Sequence, residues 1–139
     1  MLFTNACIEN KTVLQDIRVK NGLFAEIGTK LLPEAGENAM DLEGRLVLPP
    51  FIESHVHLDA CLTAGDPVWN RSGTLFEGIE CWAKRKSRLS RADIRERVSR
   101  AVRMYADHGV QFIRTHVDVT DPSLMALETI LELREELKP

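Results

Sequence analysis

The chain has 139 residues, 44% hydrophobic and 28% charged, which is enough apolar material for one domain with a real core. Lys plus Arg number 18 against 21 Asp plus Glu, and the net charge of -3 excludes the basic surplus of a dedicated nucleic-acid binder. The three cysteines, Cys7, Cys61 and Cys81, are odd in number and lack C-x-x-C spacing, which excludes a disulfide framework or a thiolate zinc knuckle. No apolar run reaches the length of about 18 residues that spanning a membrane requires. The N-terminus has no charged and then apolar leader. A reducing cytoplasm is the expected location.

Residues 1–48 read as β-rich. Val13, Ile17 and Val19 fall on one face of a strand, with Gln15 the exception, and Leu23, Ala25 and Ile27 alternate again. Asn21-Gly22 between them is a hairpin signal, because both residues tolerate positive φ. Residues 31–41 are loop-like, and Leu46–Leu48 forms a short strand stopped by Pro49-Pro50.

From Phe51 the pattern changes. Phe51–Leu58 reads as a strand and residues 59–73 as a long loop. A capping box, Thr74-x-x-Glu77, then opens a helix with Leu75, Ile79 and Trp82 on one face. The cluster Lys84, Arg85, Lys86, Arg88 and Arg91 reads as a solvated helix end. A second box, Ser90-x-x-Asp93, opens a helix whose stripe is Ile94, Val98, Ala101, Val102 and Tyr105, with Gly109 as its stop. Val110–Val119 is the next strand. Asp121-Pro122 supplies a cap and a first-turn proline for a last helix carrying Leu124, Leu127 and Leu131. The order β, α, α, β, α begins a β/α series on a parallel sheet. A closed barrel needs eight strands and typically about 250 residues, so the chain is expected to be a piece of a longer protein.

The central chemical motif is His55-Val56-His57. Residues i and i+2 of a strand share a face, so two neutral imidazoles can bind one metal ion. Glu53 falls on the same face, and Asp59 follows at the loop edge. On the second strand Arg114, His116 and Asp118 alternate at the C-terminal end. They read either as a network that orients the metal site or as a satisfied polar layer. His108 reads as a favourable charge at a helix C-terminus.

The run Asp41–Asp59 fits a pattern G-x-x-x-x-P-G-x-x-x-x-H-x-H, with Pro50 in place of the second glycine. This resembles the opening segment of the amidohydrolase superfamily. The proline, the stretch Thr63–Lys86 and the stretch Gly109–Val119 resemble its bacterial cytosine deaminase branch. Triazine-ring amidohydrolases share parts of the likeness. The resemblance implies an α/β fold. Residues 1–48 would belong to a small composite β-sandwich domain, and residues 49–139 would begin a (β/α)8 barrel with its first two strand-helix units.

The implied chemistry is metal-dependent hydrolysis of cytosine to uracil and ammonia. His55 and His57 would hold one divalent transition metal ion, iron or zinc. His116 and Asp118 would orient the site from behind. Leu75 would line the pocket for a pyrimidine base, with Trp69 in the core. No catalytic acid or base is expected within this chain, which alone should be inactive. The complete enzyme is expected to form a homo-oligomer and to need neither nucleic acid nor membrane. The absence of P-C-x-x-C excludes the small cytidine-deaminase class. Three alternatives stay open: a related ring substrate of triazine or isocytosine type, a non-catalytic interaction module, and a self-contained site made of His55, His57, His116 and Asp118.

Overall fold

A computed structural model of the chain describes residues 1–138. They form two units, Met1–Pro49 and the segment from Pro50 on.

The first unit is one five-stranded sheet of β1 (Leu2–Ile8), β2 (Gln15–Lys20), β3 (Leu23–Gly28), β4 (Ala39–Asp41) and β5 (Leu46–Val47). The β2–β3 hairpin turns where expected, with φ of 52° at Asn21 and 74° at Gly22. Strands β1 and β4 were not legible beforehand. A register break between Phe3 and Ala6 divides β1, with Asn5 at φ 57°. Its first half pairs with β4 and its second half with β5, both parallel.

The expected face of Val13, Ile17 and Val19 needs correction. Val13 precedes the strand and is exposed, whereas Asp16 and Arg18 on the opposite face are buried. Hydrogen bonds make that burial tolerable. Asp16 accepts the backbone N–H groups of Asn5 and Leu31, both at 2.9 Å, and Arg18 pairs with Glu37 and Glu26.

The second unit runs β6 (Phe51–His57), α1 (Leu75–Lys86), α2 (Arg91–Asp107), β7 (Val110–His116) and α3 (Met125–Glu136). β6 and β7 pair in parallel. Both capping signals work in half. The Thr74 hydroxyl accepts from the Glu77 N–H and the Ser90 hydroxyl from the Asp93 N–H. The two carboxylates do not reach back: Glu77 binds Ser72, and Asp93 binds Arg85 and Arg97. Gly109, at φ 80°, ends α2 by donating to the Ala106 carbonyl.

The core joins Ile94, Val98 and Ala101 of α2 with Leu58 and with Ala126, Ile130 and Leu133 of α3. The α2 stripe is therefore as expected, and the α3 stripe is not. Asp121 spends its carboxylate on a turn through Ser123, and Leu124 sits at φ 51°. The helix thus starts at Met125, and Leu131 is exposed. The small residues Ala126 and Thr129 face inward instead, and Thr129 donates its hydroxyl to the Met125 carbonyl at 2.7 Å.

The basic cluster is a solvated helix end only in part: Lys84, Arg88 and Arg91 are exposed, but two members are not. Arg85 is buried against Asp93 and Asp66, and Lys86 pairs with Asp118 at 2.9 Å. Among the described residues no helix is long and apolar enough to cross a membrane.

Candidate functional site

Parallel pairing brings the C-terminal ends of β6 and β7 side by side, with His57 opposite His116. Three imidazoles meet there. The ring centres of His55 and His116 stack at 4.0 Å, and His57 lies 5.8 Å from the first and 5.7 Å from the second. β6 has no strand on its other side among the described residues, so His55 and His57 remain exposed. His116 is more enclosed, and its Nδ1 is buried without a partner. Burial, then the nearby His55, Arg114 and His57, lower the pKa of His116 and favour its neutral form.

Glu53 does not join this group. The β6–β7 register breaks between Glu53 and Val56. The Glu53 carboxylate accepts the His55 backbone N–H at 2.9 Å and acts on Tyr105 of α2. Burial first, and then the charge of Glu53, push the Tyr105 phenol upward.

Asp118 lies past the end of β7, and its carboxylate is fully engaged elsewhere. It accepts Trp82 Nε1–H at 2.8 Å, Lys86 Nζ at 2.9 Å and the Thr120 hydroxyl at 2.6 Å. Burial opposes its ionisation, but these bonds outweigh burial and hold the carboxyl far below its ordinary range. Asp118 therefore ties α1 to the end of β7 and gives no ligand to the histidines. The self-contained four-residue site is not formed: no group of three or more His, Cys, Asp or Glu among the described residues is arranged to hold a metal ion. Two strand-end imidazoles are donors of the kind a transition metal takes, but two alone do not complete a site.

Two residues support the motif: Asp59, which the sequence places at the loop edge without a role, and Arg97, which sequence reasoning missed. Asp59 is completely buried, and one of its oxygens accepts the Asp118 backbone N–H at 2.9 Å. Arg97 of α2 reaches under the loop and donates to the carbonyls of Asp59 and Cys61, each at 2.8 Å. Its spacing of four from Asp93 was a visible signal for the ion pair, though not for the loop contact. Leu75 is exposed at the first position of α1. Trp69, expected in the core, is exposed and packs over Gly65, where a Cβ atom would come within 2.6 Å of its ring. His108 caps α2, its Nδ1 lying 2.7 Å from the Met104 carbonyl.

The model of the amidohydrolase family matches residues 38–136. N-isopropylammelide isopropyl amidohydrolase of a Pseudomonas species is 30% identical over 143 residues, covering 99% of this chain and 35% of that protein. The structure of 5-methylcytosine deaminase from Klebsiella pneumoniae bound to 5-fluorocytosine superposes with a TM-score of 0.88 at 46% identity. That match covers 98% of this chain and 33% of the other. N-isopropylammelide isopropylaminohydrolase from Burkholderia multivorans gives a TM-score of 0.76 at 28% identity, over 98% of this chain and 34% of that one. The chain spans about a third of the length of these relatives.

Proposed function

The chain belongs to the amidohydrolase family, and on that premise we propose that it forms the metal-binding opening part of a hydrolase that deaminates cytosine or 5-methylcytosine. The observation carrying this reading is the meeting of His55 and His57 with His116 at the C-terminal ends of two parallel strands. In a β/α barrel that is the end where active sites lie. In this reading residues 1–48 contribute strands to a composite β-sandwich domain, and residues from 49 on supply the first two strand-helix units of a (β/α)8 barrel.

His55 and His57 are the ligands this chain gives to one divalent iron or zinc ion. When bound, the ion supplies Lewis acidity and makes water reactive near neutral pH. The stacked ring of His116 fixes the orientation of His55. Asp118 anchors α1 against the strand ends, with Leu75 at the α1 terminus beside the pyrimidine. The proton-transferring acid and base belong to later strands, so this chain alone should not turn over substrate. The complete enzyme would be a cytoplasmic homo-oligomer. The similarity to the N-isopropylammelide enzymes supports a second reading, in which the substrate is a triazine-type ring bearing an exocyclic amine.

Release of ammonia from cytosine and 5-methylcytosine, and of isopropylamine from N-isopropylammelide, by the complete metal-loaded enzyme tests the proposal. Preference for a pyrimidine is the expected result. Turnover of the triazine alone would establish the second reading, and turnover of none of the three would reject both.

A further inference from the structure

Asp59 stands two residues beyond the His-x-His pair and is completely buried. A carboxylate cut off from water needs partners for both oxygens, because an uncompensated buried charge is costly. Its Oδ2 has one in the Asp118 N–H. Its Oδ1 is buried and has none, and it faces His57 Nδ1 at 3.7 Å. That separation is an ion-pair distance and slightly too long for a hydrogen bond.

Mobility lies on the histidine side. The Asp59 carbonyl is held by Arg97, and its carboxylate by Asp118. The His57 side chain is 49% exposed and free to turn. A small ring rotation would close the gap and give Oδ1 its missing donor.

We infer that Asp59 is a positioning residue for His57, an inference that rests on the metal-centre reading above. Its Oδ1 accepts the Nδ1–H of the imidazole. This fixes the ring in the Nδ1–H tautomer and leaves the Nε2 lone pair free for ligation. The bond also makes the ring a stronger donor, as carboxylate partners of ligating histidines do. The buried oxygen and the strand-end imidazole thereby satisfy each other.

The tautomer is readable without metal or substrate. Protein labelled with 15N-histidine in mildly alkaline buffer gives long-range ring correlations for each of the four histidines, assigned by single His→Gln variants. His57 should show the Nδ1–H form. In Asp59→Asn the amide oxygen can still accept the Asp118 N–H. The amide nitrogen then faces His57 Nδ1 as a donor, so the ring should switch to the Nε2–H form. Zinc affinity of the complete enzyme, measured against a chelating dye, should fall by about 10- to 100-fold.

An Nε2–H ring in the unsubstituted protein overturns the inference. So does an Asp59→Asn variant with unchanged tautomer and unchanged zinc affinity. If that variant does not fold by circular dichroism, the tautomer in the unsubstituted protein decides alone. The two levels separate cleanly. A complete enzyme that takes up no zinc, while the His57 tautomer still switches on substitution, rejects the metal centre and supports the Asp59–His57 contact.

Discussion

Truncating Arg97 to Ala should destabilise the chain far more than loss of a surface arginine would. The guanidinium makes four hydrogen bonds. Nη1 donates to the Asp59 and Cys61 carbonyls at 2.8 Å each, and Nε and Nη2 donate to Asp93 at 3.2 and 3.0 Å. Asp93 keeps Arg85 after the substitution, so its loss is partial. The two loop carbonyls lose this donor, and each buried acceptor left unsatisfied costs roughly 1 to 3 kcal/mol. Water entering at the residue's small exposed fraction reduces that, while the lost packing of the alkyl stem adds to it. The sum is about 3 kcal/mol, a large share of the roughly 5 to 15 kcal/mol that holds a domain together. Arg97→Lys should lose less, because an ammonium can serve the carbonyls but cannot form the fork on Asp93. Urea unfolding followed by circular dichroism measures both variants. A change below about 0.5 kcal/mol for Arg97→Ala at unchanged m-value would show that the loop does not depend on this clamp.

The same packing and pairing fix three further outcomes. Ile130→Ala should cost about 2 to 4 kcal/mol in this chain and Leu131→Ala about 0.5 kcal/mol or less, since only the first side chain is in the core; equal losses in urea unfolding would contradict the phase of α3. Asp118 has a depressed folded pKa, so its contribution is fully present above the unfolded carboxyl value of about 3.9 and is lost as pH falls toward the folded one. Asp118→Asn should therefore lower stability at neutral pH and flatten its decline below about pH 4; an unchanged acid limb would show that Trp82, Lys86 and Thr120 do not stabilise the ionised form. In the complete enzyme, His55→Ala or His57→Ala should abolish stoichiometric metal by elemental analysis, and full metal content in the double variant would remove the proposed ligands.

The histidine motif was legible because strand periodicity is local. His55 and His57 share a face whatever surrounds them, and the parallel return of the chain then supplies His116. Glu53 shows where that logic stops: one irregularity in register between Glu53 and Val56 was enough to separate it from the histidines. Asp59 and Arg97 lie 38 positions apart, and no periodicity links a loop carbonyl to a helix two elements later. Within the charged cluster at Lys84–Arg91, Arg85 and Lys86 misled for the same reason, because their partners Asp66 and Asp118 are distant in sequence.

The errors in apolar residues have a different origin. Leu131 forms a good helical stripe with Leu124 and Leu127, yet α2 packs on the neighbouring stripe, where Ala126 and Thr129 allow close approach. Leu127 and Leu131 instead line a groove of about 680 Å³ with Ile52 and Phe112. Ile52 and Phe112 are likewise strand residues with apolar side chains left exposed. Periodicity records that a face is suited to burial and is silent on which element buries it. The second unit meets that demand on one side of α3, through α2, and leaves the Leu127–Leu131 side open among its own described residues. Sequence reasoning took the Leu124–Leu127–Leu131 stripe of α3 for its buried face, and the choice of the neighbouring one was made by the small residues that the hydrophobic pattern overlooks.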